Sequence, residues 1–180
     1  MRHYNAHHNE DGFTLLELII VIIVSGILAA VSVPSFLASN RNNQLNNDLA
    51  SAKSALLESQ RDAMRIGKTC TISLSTGTPP EISNPTPTTA NNCLSTGTRT
   101  LSNVSMNAYK DVTGSASISV SSLTFDFLGN LNETAPITIV LRHNSNSGDR
   151  KCIVISQPLG LIATGKYTGA SDTYSSNCTP

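Results

Sequence analysis

A long apolar stretch near the N-terminus dominates the hydrophobic pattern of this 180-residue chain. It covers residues 13–33, and two serines and one glycine are its only residues that are not aliphatic from Leu18 onward. About 20 apolar residues are enough for a helix to cross a bilayer. One acid, Glu17, lies near the head of the stretch, although an acid at the bilayer centre costs about 2.5–3.5 kcal/mol on insertion scales. The pattern therefore predicts a membrane-spanning helix whose acid has a function.

The helical pattern continues on a more polar segment. Apolar residues recur there at helical spacings, at Leu45, Leu49, Ala52, Leu56 and Ala63. Such a stripe is typical of a helix that covers a core with one face. Gly67 followed by Lys68 is typical of a helix end, and Pro34 removes a backbone donor and predicts a bend. We therefore predict a hydrophobic helix over residues 13–34 and an amphipathic helix over residues 35–68.

Beyond residue 68 the pattern changes to short alternating segments, which are typical of β-strands. Residues 69–74 place Cys70, Ile72 and Leu74 on one face. Further strands are predicted at 117–120, 123–127, 137–141, 152–155 and 159–163, with a turn at Gly129 and Asn130. Residues 75–102 are rich in Thr, Ser, Pro, Gly and Asn, and this composition predicts a long loop.

Strands at this spacing predict an antiparallel sheet, and the apolar face of that sheet requires a cover. The amphipathic helix is the available cover. The predicted fold class is therefore α+β: a long N-terminal helix, transmembrane in its first half, packs on an antiparallel β-sheet head that comprises residues 69–180.

Composition adds no strong electrostatic signal. Lys plus Arg and Asp plus Glu are equal at 12 each, and only 13% of the residues are charged. No global field therefore attracts the chain to nucleic acid. A polar and weakly charged surface suits an extracellular or envelope protein.

Four cysteines follow the apolar stretch, at Cys70, Cys93, Cys152 and Cys178. They form no CxxC pair, so a zinc site is not indicated. An even number of cysteines on the outer side of a membrane predicts two disulfides. Three pairings are open. We favour Cys70–Cys93 and Cys152–Cys178, since each closes a short loop, and buried free thiols are the alternative.

The sequence contains no catalytic or cofactor motif. One histidine, His143, lies beyond residue 12, and its place beside Arg142 at a strand end predicts a solvated side chain. Asp126 is expected to cap or pair structurally. We therefore predict no enzymatic activity, no cofactor and no metal.

The N-terminal end of the apolar stretch resembles the type IV prepilin signature. Gly12, Phe13 and Glu17 carry the resemblance, together with Pro34 downstream. In that family a prepilin peptidase cuts after the glycine, and the new N-terminal residue is methylated. The resemblance implies that residues 1–12 are a leader peptide, that Gly12 and Phe13 form the processing site, and that Glu17 and Pro34 serve assembly.

Cleavage would give Phe13 a positive amino group, four residues before Glu17, at the helical i,i+4 spacing. The acid then pairs either with this amine or with the Phe13 amine of a neighbouring subunit, and burial among apolar helices strengthens either pair. A secretory signal peptide, a plain membrane anchor and a buried helix of a soluble protein are the alternatives. The apolar core of a signal peptide is shorter, and a plain anchor does not explain Glu17. Core helices of soluble proteins rarely continue so long without charge.

Internal motifs resemble the GspH/FimT-type minor pilins and pseudopilins. Residues 123–131 are similar to a hairpin of that family, residues 59–67 to its helix exit, and residues 152–160 to its closing strands. The resemblance implies a pilin fold and a subunit of a type IV pilus or type II secretion filament, in assembly or tip capping. It also implies a single pass through the bacterial inner membrane, with the head in the periplasm and later in an extracellular filament. The implied partners are other pilins and the prepilin peptidase.

DNA uptake or adhesion is the alternative function, since some members of that family bind DNA. Clustered bases are required to meet phosphates, and the candidates here are Arg142, Arg150, Lys151 and Lys166. DNA-binding relatives carry arginines directly after the glycine of the last strand motif, whereas apolar residues follow Gly160 here. We therefore favour an assembly subunit over a DNA-binding one.

Overall fold

The computed structural model describes residues 12–85, 93–111, 118–169 and 177–179. Within these ranges the chain forms one α-helix, α1 (Leu15–Ile66), and ten strands. The strands are β1 (Cys70–Ser75), β2 (Glu81–Ser83), β3 (Arg99–Thr100), β4 (Val104–Lys110), β5 (Ile118–Ser119), β6 (Ser122–Phe125), β7 (Ile137–His143), β8 (Asn146–Ser156), β9 (Leu161–Tyr167) and β10 (Cys178–Thr179). The predicted α+β class, with a long N-terminal helix and antiparallel strands, is confirmed. Most of the predicted leader (1–12), part of the predicted long loop and residue 117 lie outside the described residues.

Both ends of α1 follow from local sequence. The hydroxyl of Thr14 accepts the backbone N–H of Glu17 at 3.2 Å, as an N-cap does. At the other end Gly67 has a φ of +64°, and the N–H of Lys68 bonds the carbonyl of Ala63 at 3.3 Å. A residue in the left-handed region is the usual helix stop, and glycine adopts it without a Cβ penalty.

The chain divides into two compact units, residues 1–40 and 41–180, and α1 contributes to both. In the second unit the predicted stripe forms the cover of the core. Leu45, Ala52, Leu56 and Ala63 are fully buried, and Leu49 is partly buried against the same cluster. Full burial of one leucine side chain contributes about 1.5–3 kcal/mol, so this stripe is a major part of the stability of the head.

The antiparallel strands that the sequence predicts are divided between two sheets. The smaller sheet has the order β3-β2-β1-β6, and the larger one has the order β10-β9-β8-β7-β4-β5. Alternation along each strand directs side chains to the core, as with Cys70, Ile72 and Leu74 on β1. The sequence analysis did not predict the division into two sheets, because alternation identifies the buried face of a strand and not its neighbours.

Two regions of the head contain more strand than the sequence analysis assigned. β4 was missed, although Val104, Met106 and Ala108 alternate and are all buried. The segment 75–102, which was predicted as a loop, contains β2 and β3. Ile82 of β2 is buried, β2 pairs with β1, and β3 pairs with β2.

Both disulfides close loops within the head, with sequence separations of 23 and 26 residues. Cys70 on β1 bonds to Cys93, and Cys152 on β8 bonds to Cys178 on β10. These are the two pairs favoured from the short loops that they close, and all four cysteines are used. The first bridge encloses β2, and the second links the edge strand β10 to β8.

Candidate functional site

The candidate processing segment lies before the helix. Residues 12–14 have no regular secondary structure, and the side chain of Phe13 is 83% exposed. Among the described residues, no atom beyond its chain neighbours lies within 4 Å of the position that a Cβ on Gly12 would occupy. The residues on both sides of the peptide bond after Gly12 are exposed.

Glu17 lies in the first turn of α1. Its backbone N–H is capped by Thr14, but within the described part of the chain its exposed carboxylate forms neither a hydrogen bond nor an ion pair. The helix begins at Leu15, so Phe13 is not part of it. The predicted pairing of Glu17 with the amine of Phe13 stays a prediction, because that amine exists only after cleavage and the structure describes the uncleaved chain.

The first unit exposes its apolar surface. Every side chain that the structure describes between residues 12 and 40 is exposed, and the list includes Leu15, Leu16, Leu18, Ile19, Ile20, Val21, Ile22, Ile23, Val24, Ile27, Leu28, Val33, Phe36 and Leu37. The helix is long and apolar enough to cross a membrane by length and composition. Contiguous apolar surface of this extent marks a membrane or protein contact.

Gln60 joins three elements of the head. Its side-chain amide donates to the carbonyl of Gly129 at 2.7 Å and to that of Gly160 at 3.0 Å. The turn after β6 and the turn between β8 and β9 also meet directly, since the N–H of Leu131 donates to the carbonyl of Pro158 at 3.0 Å. A Cβ on Gly160 would lie 2.6 Å from the carbonyl oxygen of Gly129, so only glycine fits this junction.

Large apolar side chains surround this junction on the outside. They are 47–63% exposed, and they comprise Met64, Phe127, Leu128 and Leu159, which we call the apolar patch. The two tight turns at Gly129 and Gly160 hold the patch in place. Sequence analysis did not identify it, because its residues come from a helix end and two turns that share no periodicity.

Asp126 stabilises the turn that carries Phe127 and Leu128. Its carboxylate accepts the N–H groups of Leu128 and Asn130, each at 2.8 Å, and the side-chain amide of Asn130 at 3.1 Å. Burial alone would raise the pKa of Asp126, but these hydrogen bonds outweigh it and hold the pKa below its ordinary value. The residue has a capping role, as the sequence analysis expected.

The prediction that His143 is solvated was wrong. Its side chain is buried, with 7% exposed. Its Nδ1 accepts the N–H of Ser145 at 3.0 Å, so Nε2 carries the proton and donates to Gln44 on α1, also at 3.0 Å. Ile137, Ile139 and Leu141 are buried at alternate positions of β7, so alternation also places His143 on the buried face. The sequence analysis ended this strand at residue 141 and therefore missed the burial.

The four candidate basic residues lie on adjacent strands, but their side chains point to opposite faces of the sheet. Arg142 is paired across the sheet with Arg150, and Lys151 with Lys166. Neighbouring residues on a strand point to opposite faces, so the arginine pair and the lysine pair lie on different faces of the larger sheet. Arg150 also donates to the carbonyl of Gly169 at 3.0 Å. The four side chains therefore do not form one basic surface.

Glu58 attaches the segment after Cys93 to the helix. Its carboxylate accepts the hydroxyl of Ser95, the N–H and hydroxyl of Thr96, and the guanidinium of Arg99, at 2.6–3.2 Å. Burial alone would raise the pKa of Glu58, but the hydrogen bonds from Thr96 and Ser95 and the charge of Arg99 hold it below its ordinary value. This cluster was not identified from sequence, because Glu58 reads as one of several polar positions on an amphipathic helix.

Replacing Glu58 with Gln is expected to destabilise the head by about 2 kcal/mol, since hydrogen bonds to a charged group contribute about 1.5–3 kcal/mol each. Because the folded-state pKa is lowered, this stabilisation is fully present above the ordinary value of 4.5 and is lost as the pH falls through the folded-state pKa. Urea unfolding of the detergent-solubilised protein, followed by tyrosine fluorescence at several pH values, measures the effect.

Glu81→Gln is the matched control, since its carboxylate accepts one hydrogen bond, from Thr100, at 3.3 Å. The control is expected to unfold at nearly the wild-type urea concentration. Equal destabilisation by the two substitutions at neutral pH would contradict the role given to Glu58.

Within the described ranges, no group of three or more His, Cys, Asp or Glu side chains is arranged to hold a metal ion.

The chain does match known proteins at its N-terminus. Residues 7–33 match the family described as the prokaryotic N-terminal methylation motif.

The chain is 38% identical over 50 residues to the type IV major alpha-pilin of Moraxella bovis. The aligned stretch covers 26% of this chain and 31% of that pilin, so the chain spans about a third of the length of the curated relative that it matches. No solved structure matches the chain. The chain thus has a type IV prepilin-like N-terminus, a weak similarity to a type IV pilin and an α+β pilin-like architecture.

Proposed function

We propose that this protein is a structural subunit, not an enzyme, of a type IV pilus or a type II secretion filament. The observation that carries the proposal is the N-terminal methylation motif over residues 7–33, which leads into an apolar helix with every described side chain exposed before residue 41. Lipid before assembly and other subunits after assembly would both cover this surface.

In this proposal a prepilin peptidase removes residues 1–12 and the new N-terminal Phe13 is methylated. The exposed and irregular backbone of residues 12–14 supports such a cut. Residues 13–34 then anchor the subunit once in the bacterial inner membrane, Pro34 lies at the membrane boundary, and the head of residues 69–180 lies in the periplasm. Residues 35–68 connect the two as the amphipathic part of α1.

Glu17 is proposed to pair with the Phe13 amine of a neighbouring subunit rather than with that of its own chain. In support of an intermolecular pair, the carboxylate of Glu17 is exposed and bonds no group among the described residues, so it is available to a neighbouring subunit once cleavage has formed the Phe13 amine. Pairing would remove the cost of a buried acid and would fix the axial position of one subunit against the next.

We infer further that the subunit is a minor pilin or pseudopilin that acts in assembly or at the filament tip. The apolar patch supports this inference, because it gives the head a surface suited to contact with another subunit. Part of the patch lies on the segment 123–131 that resembles a hairpin of the minor pilins.

DNA uptake is not favoured. The arginine pair and the lysine pair face opposite sides of the sheet, and phosphate binding requires a shared basic surface. We expect no binding of a labelled DNA duplex to the detergent-solubilised protein at low salt. Binding that weakens steeply as salt increases would favour the alternative function.

Filament composition tests the proposal. We expect filaments sheared from cells, or assembled in the periplasm by secretion machinery, to contain the mature protein, and we expect deletion of its gene to reduce their number. Reintroduction of the wild-type gene is the control. Filaments of normal number and length that lack the protein would contradict the proposal.

A further inference from the structure

One edge of the larger sheet is unpaired over part of its length among the described residues. In that part of the chain, β10 pairs with β9 at Tyr167 and Lys166. Just beyond β9, the N–H of Thr168 donates to the carbonyl of Asn177 at 2.9 Å. Every second residue of a strand directs its backbone groups to the same side, so Ile162 and Thr164 direct theirs to this edge. In the part of the chain that the structure describes, no strand pairs with them there.

A cavity of about 340 Å³ lies beside this edge, under the helix. It is lined by Leu49 of α1, by Lys151 of β8 and by Thr164, Gly165 and Lys166 of β9. The two lysines are direct cross-strand neighbours, and like charges in that position destabilise a sheet. Neither lysine forms an ion pair within the described residues. Two lysines that have no ion-pair partner among the described residues therefore line this cavity.

The surroundings of the cavity add positive charge. Lys53 lies one helical turn after Leu49 on the same face of α1. Of the nearby acids, Asp48 accepts the N–H of Asn103 at 3.2 Å, and none of the ion pairs among the described residues joins an acid to Lys151 or Lys166. This flank of the head combines a partly unpaired strand edge with lysines that have no ion-pair partner in the part of the chain that the structure describes.

We propose that the edge of β9 binds an extended segment of a partner protein as an added strand with acidic side chains at alternate positions. The backbone groups of Ile162 and Thr164 would bond to the added strand, as in other cases of β-augmentation. Alternation places one set of its side chains toward Lys151 and Lys166, which favours acids, and the other set beside the exposed side chains of Leu161 and Ala163, which favours apolar residues. This assignment rests on the head alone and does not require filament assembly.

A synthetic peptide tests the assignment with the full-length protein in zwitterionic detergent. The probe is a fluorescein-labelled peptide of about eight residues that alternates Glu and Val, and binding is measured by fluorescence anisotropy. We expect this peptide to bind and a Lys–Val peptide of equal length not to bind. The double variant Lys151→Glu/Lys166→Glu is expected to weaken binding about tenfold or more.

Two controls distinguish binding at the strand edge from nonspecific electrostatic attraction and from nonspecific hydrophobic adsorption. Arg61→Glu/Lys68→Glu makes the same change in net charge at exposed positions of the helix end, and it is expected to leave the affinity unchanged. A Glu–Val peptide with N-methylated backbone amides keeps its charge but cannot pair with the edge, and it is expected not to bind.

Three results would each overturn the proposal. The Glu–Val and Lys–Val peptides could bind equally well, the Lys151→Glu/Lys166→Glu variant could keep full affinity, or the N-methylated peptide could bind fully. A single-stranded oligonucleotide that binds at these lysines more tightly than the peptide would assign the site to nucleic acid instead. A dimer of the protein that is lost in the same lysine variant would assign the edge to a second copy of this chain.

Discussion

Replacing Glu17 with Ala is expected to abolish filament assembly while the protein still enters the membrane. The substitution removes an acid that costs about 2.5–3.5 kcal/mol at a bilayer centre, so insertion becomes easier and not harder. Assembly is expected to fail because the carboxylate would no longer meet the Phe13 amine of the next subunit. Counting filaments by electron microscopy, together with membrane fractionation, measures both effects.

Ser25→Ala is the matched control within the same apolar stretch. The hydroxyl of Ser25 bonds to the carbonyls of Val21 and Ile22 in its own helix, at 2.7 and 3.0 Å, so its removal is expected to leave assembly normal. Glu17→Gln separates charge from size, and it is expected to fail as Glu17→Ala does. Normal numbers of filaments from the Glu17→Ala protein would contradict the pairing of Glu17 between subunits.

The second large effect is expected at Gly160. Gly160→Ala is expected to destabilise the head by about 3 kcal/mol or more, through the positive φ, the contact with the carbonyl of Gly129 and the loss of a hydrogen bond from Gln60. An added Cβ would lie 2.6 Å from the carbonyl oxygen of Gly129 and 2.9 Å from the side-chain nitrogen of Gln60. Urea unfolding of the detergent-solubilised protein measures the loss.

Gly67→Ala isolates the backbone contribution. Gly67 also has a φ of +64°, and no atom of a neighbouring residue lies within 4 Å of its added Cβ. This substitution is expected to cost only about 1 kcal/mol, as for a non-glycine residue in the left-handed region. Similar losses for the two substitutions would contradict the role of Gly160 in joining the two turns to the helix.

Local periodicity explains which parts of the fold were predictable from sequence. The stripe from Leu45 to Ala63 repeats at helical spacing, and Ile72 and Leu74 alternate within a strand, so both segments identify their own buried faces. The division into two sheets depends on which strands pair, and no local pattern encodes that. β4 did carry a readable signal in Val104, Met106 and Ala108, and the sequence analysis overlooked it.

Contacts between distant residues explain the rest. The hydrogen bond from Gln60 to Gly160 joins residues 100 positions apart, and neither residue has a local feature that predicts it. Two other features depend on where the strands begin and end. His143 alternates with Ile139 and Leu141 on a strand that was predicted to end at residue 141. Arg150 and Lys151 point to opposite faces because both belong to β8, which was predicted to begin only at residue 152. The N-terminal segment differs, because Gly12, Phe13 and Glu17 are read directly from the sequence.

The N-terminal residue and the mass of the protein extracted from membranes test the central claim most directly. We expect a chain that begins at Phe13, with its mass increased by one methyl group on the new amino terminus. A chain that begins beyond Ser32 would identify a secreted domain, and an intact Met1 would identify an uncleaved anchor. Either result would contradict the proposal that the protein is processed as a prepilin and enters a filament through its N-terminal helix.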